Sequence, residues 1–173
     1  KKEPTKNQHE LFKKYDSFEP NDYFKLSEFS KKNDIEFMST PFDDKAIEFL
    51  NPLVSCFKIA SADITNVPLL RNIAKKNKPV FLSTGASTLG EIDFAINELV
   101  KSGCKKKEIV LLHCILNYPT KKTDANLNMI KGLIKKYPEQ LIGYSDHTLP
   151  DKNMSTLFAA YLLGAVIIEK HFT

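Results

Sequence analysis

The sequence has few cysteines and none of the spacings on which cysteine-dependent proteins rely. Its 173 residues include three cysteines, Cys56, Cys104 and Cys114, and no C-x-x-C pair. An odd cysteine count at these separations argues against a disulfide framework and against a structural zinc site. Cys56 and Cys114 lie in apolar, strand-like runs and are expected in the core. This usage fits a protein of the reducing cytoplasm.

Long hydrophobic runs are also missing. The longest apolar stretch, residues 157–168, is too short to span a bilayer and is interrupted by Gly164. Residues 1–8 are polar and lack the apolar segment of a signal peptide. We therefore expect a soluble, cytoplasmic protein without a membrane partner.

A strong excess of charge of one sign is absent as well. The formal net charge is +4, from 25 basic and 21 acidic residues. The lysine clusters are scattered along helix-like segments, at residues 31–32, 75–76, 105–107 and 135–136. A solvated outer surface explains this pattern better than a nucleic-acid footprint does, so we expect no nucleic-acid partner.

What the sequence does contain is an alternation of apolar runs and helix-like segments. Its length suits about one domain, and its hydrophobic fraction of 42% is ordinary for a globular protein. After an N-terminal arm at residues 1–19, six strands are predicted at residues 35–40, 55–61, 79–85, 109–114, 142–148 and 165–171. The runs are apolar throughout instead of alternating, which indicates an α/β protein with a parallel sheet covered by helices.

The helices are predicted from periodicity and capping signals. Residues 88–91, Thr-Leu-Gly-Glu, match a capping box, and Pro68 is typical of a first helical turn. Asp43 or Asp44 can cap a helix over residues 45–50. Other helices are expected over residues 21–32 and 154–163. Inward-facing positions are predicted for Val67, Leu70, Ile73 and Ala74, for Ile92, Ala95, Ile96, Leu99 and Val100, and for Leu127, Ile130, Leu133, Ile134 and Tyr137.

Polar residues follow every predicted strand at its C-terminal end. In a β/α barrel this edge carries the active site, whereas a doubly wound sheet gathers its polar groups near one switch point. The pattern therefore favours a TIM (β/α)8 barrel. Six strands do not close an eight-stranded barrel, so we expect a partial barrel of about six β/α units.

Two strand ends carry paired polar residues. Residues two apart on a strand face the same way, so Ser145 points with His147 and Glu169 points with His171. The two imidazoles could bind one ion. Lys58 stands inside an apolar run, where an unpaired charge is costly. It either binds phosphate or forms a buried ion pair with a carboxylate such as that of Glu169 or Asp63. His113 is expected to be an ordinary core histidine.

The motifs together resemble the sialic acid synthase family. They are FMSTPFD (37–43), KIASAD (58–63), LSTG (82–85), LHC (112–114) with YPT (118–120), GYSDHT (143–148) and EKHFT (169–173). The resemblance implies a synthase that condenses phosphoenolpyruvate with an N-acetylmannosamine-type aldose. The products would be a nine-carbon 2-keto sugar acid and phosphate. It also implies a (β/α)8 barrel with a C-terminal antifreeze-like domain, working as a homodimer.

The resemblance also implies roles for individual residues. His147 and His171 would bind a divalent metal ion, Mn²⁺ first, with Mg²⁺ or Co²⁺ as alternatives. Lys58 and Asp63 would be catalytic, Tyr118 would contact the sugar, and Asn117 would contact phosphoenolpyruvate if the loop shifts. The other phosphoenolpyruvate-binding residues would be Thr40, Ser61, Ser83 and Ser145, together with Lys58.

The chain also departs from the family pattern. Leu116 stands where better-known members carry an asparagine that contacts phosphoenolpyruvate. The first two strands of the family barrel and the antifreeze-like domain have no counterpart, so residues 1–173 alone are expected to be inactive. A catalytically silent binding or assembly module and another metal-dependent barrel, such as an aldolase, remain alternatives. The identity of the aldose stays open.

Overall fold

The computed structural model describes residue 10 and residues 18–171. The predicted N-terminal arm, residues 1–19, therefore lies almost entirely outside the described residues. The chain divides into two compact units, residues 1–37 and residues 38–173. Each unit is described separately below.

Among the described residues of the first unit, the helix with clear bounds is α1 (Pro20–Lys32). Glu19 and Asp22 form a reciprocal capping box at its start, and Pro20 occupies the first turn, where a missing N–H costs nothing. The sequence predicted a helix over residues 21–32. The helix is confirmed, but none of its residues is buried.

Residues 38–173 form a parallel sheet of five strands in the order β1-β2-β3-β4-β5. The strands are β1 (Phe57–Ile59), β2 (Val80–Ser83), β3 (Ile109–His113), β4 (Ile142–Asp146) and β5 (Ile167–Lys170). Each strand pairs with the next strand in the chain. A sheet without a switch in strand order is what consecutive units of a β/α barrel produce. The predicted α/β fold and partial barrel are confirmed.

Helix α2 (Asp44–Leu50) precedes β1. Four helices connect the strands as the periodicity predicted: α3 (Val67–Ala74), α4 (Leu89–Lys101), α5 (Asn128–Lys136) and α6 (Ser155–Leu162). The Asp43 side chain caps α2 by accepting the Ala46 N–H at 2.7 Å. The reciprocal capping box of Thr88 and Glu91 starts α4. Across residue 10 and residues 18–171, no helix combines the length and apolarity needed to cross a membrane.

The first predicted strand, residues 35–40, is wrong. This segment has irregular backbone, and its apolar side chains are largely outside the core, with Ile35 64% and Met38 40% exposed. A strand is stabilised by a hydrogen-bonded neighbour and by burial of one face. In the described chain this segment joins no ladder, so five strands form instead of six.

Helix burial differs from the periodicity at two positions. Ile92, Ala95, Ile96 and Leu99 of α4 are buried as predicted, but Val100 is 38% exposed. Glu98 is buried in its place because Arg71 of α3 holds its carboxylate, with both Nε and Nη2 at 2.8 Å. An interhelical ion pair thus occupies a position where an apolar contact was expected. On α5, Ile134 is likewise 38% exposed, whereas Ile130 and Leu133 are buried.

Gly143 on β4 leaves no room for a side chain. A Cβ there would lie 2.5 Å from Leu112 Cδ2 and 2.8 Å from the carbonyl oxygen of Ile167. Because that carbonyl belongs to the backbone of the adjacent strand, the clash cannot be relieved by a rotamer change. We expect Gly143→Ala to lower the free energy of unfolding by about 3 kcal/mol, measured by chemical denaturation.

Gly132 provides the matched control for this substitution. It lies inside α5, and a Cβ there would meet nothing within 4 Å. Gly132→Ala should stabilise the protein by about 0.5–1 kcal/mol, because alanine favours helix more than glycine does. A Gly143→Ala protein as stable as the wild type would contradict the close strand packing described here.

Candidate functional site

The strand register collects the predicted polar residues on one face of the sheet. Ser145 is paired in register with Glu169 on neighbouring strands, and the Lys58 side chain reaches Ser83 on the next strand. Alternate residues of a strand face opposite sides, so these four share the inner face of the partial barrel. The apolar outer face, exemplified by Leu111, packs under the helices.

Lys58 is the charged centre of this inner face. Only 8% of the residue is exposed, and its Nζ donates to Ser83 Oγ at 2.7 Å and to the carbonyl oxygen of Ile59 at 3.2 Å. The Glu169 carboxylate lies 3.8 Å away. Burial lowers the pKa of Lys58, and the negative charge of Glu169 opposes that shift only in part. Of the two ion-pair partners predicted, the structure places Glu169 beside the ammonium.

Ser61 joins this cluster through Cys114. Burial raises the pKa of the Cys114 thiol, and the nearby Ser61 hydroxyl opposes part of that shift. Gly85 fits between them because a Cβ there would lie 2.7 Å from Cys114 Sγ and 3.2 Å from Ser61 Oγ. Cys114 was predicted only as a core residue. Its place beside the polar cluster follows from β3 alternation, which sets it on the opposite face from His113.

The end of β4 meets the end of β5 through side-chain hydrogen bonds. The Ser145 hydroxyl, 1% exposed, donates to Glu169 and lies 3.4 Å from Nε2 of His147. The predicted pairing of Ser145 with His147 on one face is therefore confirmed. Together with the Lys58 and Glu169 contact, these bonds form a continuous polar chain from Lys58 to His147.

The surroundings of His147 define its tautomer. Nδ1 is hydrogen-bonded to the carbonyl oxygen of Ile115, which only accepts, so Nδ1 carries the proton. Nε2 then accepts from the Tyr118 hydroxyl at 2.8 Å, and the two rings stack with centroids 3.9 Å apart. Burial lowers the pKa of His147, which keeps the imidazole neutral at neutral pH. A neutral imidazole oriented by a backbone carbonyl is the form that binds metal ions.

His171 lies next to His147 at the end of β5. The ring centroids of the two histidines are 5.2 Å apart and their planes meet at 78°. Tyr118 stands at the same distance from His171, so the three rings form one cluster. In the part of the chain that the structure describes, no group of three or more metal-binding side chains is present. The cluster thus brings the two predicted imidazoles side by side.

Three predicted site residues lie outside the polar chain. Thr40 is half-buried in the irregular segment before α2. Asp63 ends a short 3-10 turn and accepts from Asn66 Nδ2 at 3.1 Å. Asn117 is exposed, and its carbonyl oxygen accepts from the Thr120 hydroxyl at 2.7 Å. Leu116, the residue that departs from the family pattern, is 48% exposed, with its Cδ2 atom near Gly85.

His113 is a satisfied core histidine, as expected. It is 4% exposed, its Nε2 is 2.8 Å from the carbonyl oxygen of Ala125, and its ring stacks on Tyr144. Because the carbonyl accepts, Nε2 carries the proton. Burial lowers the pKa of His113, and the hydrogen bond to Ala125 offsets only part of that shift.

This arrangement predicts a loss of stability in mild acid. Protonation of His113 is easier in the unfolded chain than in the folded one, so stability is full above the ordinary histidine pKa and falls as the pH drops below it. His113→Gln, which keeps an N–H donor, should reduce this pH dependence by at most about 1.4 kcal/mol per pH unit. Denaturation midpoints between about pH 7 and about pH 5 measure it. An unchanged slope in the variant would contradict the assignment.

A cavity of about 670 Å³ lies beside the site, between the β2–α4 and β3–α5 connections. Ser87, His113, Lys122 and Asn126 are among its lining residues. None of the predicted catalytic, substrate-binding or metal-binding residues lines it. Cys114 and Ile115, which border the polar chain, also line the cavity, so the cavity adjoins the polar chain.

Comparison with known proteins places this geometry among sialic acid synthases. An uncharacterised protein of Methanocaldococcus jannaschii is 47% identical over 166 residues, covering 95% of this chain and 47% of that protein. The N,N'-diacetyllegionaminic acid synthase of Campylobacter jejuni is 46% identical over 145 residues, covering 83% and 42%. The chain spans less than half the length of these two relatives.

A solved structure gives the same result at the level of the fold. The N-acetylneuraminic acid (sialic acid) synthetase of Leptospira borgpetersenii superposes with a TM-score of 0.82 at 39% identity, covering 90% of this chain and 53% of that one. The model of the NeuB family matches residues 1–173. The chain therefore belongs to the NeuB family, that of the sialic and legionaminic acid synthases.

Proposed function

We propose that the chain carries part of the active site of an enzyme that condenses phosphoenolpyruvate with an amino sugar of the N-acetylmannosamine type. The methylene carbon of phosphoenolpyruvate bonds to the aldehyde carbon of the sugar, and the aldehyde oxygen gains a proton. Water adds to the central carbon of phosphoenolpyruvate, and inorganic phosphate leaves. A nine-carbon 2-keto sugar acid remains. Family membership supports a synthase of this kind.

The observation that carries the proposal is the buried ammonium of Lys58. Its closest carboxylate partner, Glu169, stands 3.8 Å away, beyond direct hydrogen-bond distance. A buried ammonium whose ion-pair partner is not in direct hydrogen-bond contact can also donate to an anionic oxygen of a ligand. The carboxylate and phosphate of phosphoenolpyruvate supply such oxygens.

Hydroxyl groups complete the proposed anion site. Ser83 already receives a hydrogen bond from Lys58, and Ser61 and Ser145 lie on the same inner face, linked through Cys114 and Glu169. Each hydroxyl can turn to donate to an anionic oxygen. Thr40 and Asn117 are proposed to contact the same substrate, and both lie in irregular segments.

His147 and His171 are the residues that would hold the metal ion. The fit rests on the His147 tautomer, because Nδ1–H is bound to Ile115 and Nε2 is left with its lone pair. A bound Mn²⁺, with Mg²⁺ or Co²⁺ as substitutes, would act as a Lewis acid toward the sugar aldehyde. Tyr118 now holds Nε2 and would turn toward the sugar once that nitrogen is engaged.

Asp63 is the proposed acid–base group for the addition of water. Its carboxylate stands at the strand end just beyond Lys58 and accepts a hydrogen bond from Asn66, which leaves lone pairs for a proton. Lys58 completes the catalytic pair by holding the anion. In the full-length protein, additional barrel strands, a C-terminal antifreeze-like domain and a second subunit are proposed to complete the site. Cys56, Cys104 and Cys114 are buried and form no disulfide, which suits a reducing cytoplasm.

The proposal is tested with the full-length protein, phosphoenolpyruvate and a panel of aldoses. The panel contains N-acetylmannosamine, its 6-phosphate and a diacetamido sugar of the legionaminic acid type. Phosphate and 2-keto acid should form in equal amounts, and only when one of these aldoses is present. If no aldose supports turnover, the result favours the alternative of a catalytically silent binding or assembly module.

A further inference from the structure

The outer face of the β4 and β5 ends carries a second polar cluster, made of residues that the predicted site does not use. Asp146 is paired in register with Lys170, and the Lys170 Nζ donates to Asp146 Oδ2 at 2.7 Å. Asp146 is 1% exposed, and the Lys170 side chain is 13% exposed. This is a buried ion pair on the face opposite Ser145 and Glu169.

The Asp146 carboxylate gathers donors from its own strand end as well. Oδ1 accepts from the Tyr144 hydroxyl at 2.9 Å and from the Thr148 N–H at 2.9 Å. Oδ2 accepts from the Thr148 hydroxyl at 3.0 Å in addition to Lys170. The Lys170 ammonium donates to the Thr148 carbonyl oxygen too. The strand end is therefore fixed on both sides of residue 147.

The sequence positions of this cluster connect it to the two imidazoles. His147 lies between Asp146 and Thr148, and His171 directly follows Lys170. Neighbouring residues of an extended chain point to opposite faces. A bond between side chains on the outer face therefore fixes the backbone that carries the inner-face side chains. A bond between Asp146 and Lys170 thus links the two backbone segments that carry the histidines.

We propose that Asp146 and Lys170 are positioning residues, which set the separation of His147 and His171 and thereby the affinity of the metal site. The inference rests on the proposed function, because it takes the two imidazoles as metal ligands. A buried ion pair adds little net stability compared with apolar residues of similar size, but it restricts geometry. Partners that orient metal ligands typically contribute about 10- to 100-fold in metal affinity.

The cluster reaches a third part of the site. The Thr120 N–H donates to the His147 carbonyl oxygen at 2.8 Å, and Thr120 forms an isolated parallel bridge with Thr148. Thr120 lies two residues after Tyr118, whose hydroxyl contacts the His147 ring. The hydrogen bond from Thr120 to His147 therefore also helps to position Tyr118, whose ring stacks on that of His147.

The test measures Mn²⁺ affinity by calorimetry on full-length protein. Asp146→Asn and Lys170→Met should each raise the Mn²⁺ dissociation constant by about 10- to 100-fold, and Lys170→Arg should restore most of the affinity. The KM for phosphoenolpyruvate at saturating Mn²⁺ should change little. Glu98→Gln is the matched control, because it breaks the ion pair of a buried carboxylate with Arg71 between α3 and α4, outside the predicted site. It should lower thermal stability without changing the Mn²⁺ dissociation constant.

A second readout needs no metal. Amide hydrogen exchange should be faster at Thr148 and Thr120 in Asp146→Asn and in Lys170→Met, and unchanged at Cys104, whose N–H bonds to Leu99. If wild-type protein binds no Mn²⁺, the metal assignment fails. The exchange experiment still decides whether the ion pair of Asp146 and Lys170 positions the ends of β4 and β5. Folded Asp146→Asn or Lys170→Met protein with wild-type Mn²⁺ affinity, or wild-type exchange at both threonines, would overturn the inference.

Discussion

Replacing Lys58 with methionine is expected to lower kcat/KM for phosphoenolpyruvate by about 100- to 1,000-fold, the loss typical when one charge-stabilising donor is removed from an active site. Methionine keeps an unbranched stem of similar volume, so the β1 strand should still pack. What disappears is the ammonium that donates to Ser83 and lies 3.8 Å from Glu169. Steady-state kinetics at saturating aldose measures the effect.

Lys78 is the matched control for this prediction. It is also a partly buried lysine, and its Nζ donates to the carbonyl oxygens of Val54 and Asn51 instead of facing the inner polar chain. Lys78→Met should reduce thermal stability but leave kcat/KM within a few-fold of the wild type. Wild-type kinetics in Lys58→Met, or an equal kinetic loss in both variants, would contradict the role given to Lys58.

The second large effect is expected at His147. His147→Ala should weaken Mn²⁺ binding by more than about 100-fold, because it removes one of two imidazole ligands, a larger change than loss of an orienting partner. The Ile115 carbonyl already fixes the ring with its proton on Nδ1, so metal binding requires only that Nε2 exchange its hydrogen bond from Tyr118 for the ion. Calorimetry or electron paramagnetic resonance of Mn²⁺ with full-length protein gives the affinity.

His113→Gln is the control that shows whether replacing any buried histidine weakens Mn²⁺ binding. His113 is buried on the outer face, where its Nε2 meets the Ala125 carbonyl oxygen. The variant should change the pH dependence of stability and leave Mn²⁺ affinity at the wild-type level. Unchanged Mn²⁺ binding in His147→Ala would remove the metal from the account, while the proposed anion site at Lys58 would still stand.

Local signals in the sequence were enough to predict the helices and most strands. Thr88 and Glu91 cap α4 through bonds of 2.7 Å and 3.2 Å, as their spacing predicted. Pro68 lies in the first turn of α3, and Asp43 caps α2. These features depend on residues within one helical turn, so the sequence contains all of the information.

Features that depend on distant partners could not be read in the same way. Residues 35–40 have the composition of a strand, but a strand also requires a neighbour, and composition does not provide one. Val100 has the period of a core position, yet Arg71 of another helix draws Glu98 into the interior instead. Tertiary contacts decided both cases.

The candidate site also combines features that local sequence predicts with features that depend on distant partners. Alternation along one strand predicted that Ser145 and His147 share a face, and the structure confirms it at 3.4 Å. The contacts of His147 with Tyr118 and of Asp146 with Lys170 depend on strand register and loop path, which no spacing within the sequence reveals. The contact of Lys58 on β1 with Glu169 on β5 joins strands that are not neighbours in the sheet, so spacing within the sequence could not choose Glu169 over Asp63 as its partner.

The most direct test of the account is a crystal structure of the full-length protein with Mn²⁺ and phosphoenolpyruvate, in which anomalous scattering locates the metal. The account predicts a manganese peak bonded to the imidazoles of His147 and His171, and an anionic oxygen of phosphoenolpyruvate on the Lys58 ammonium. A manganese ion held elsewhere, with phosphoenolpyruvate away from Lys58, would contradict it.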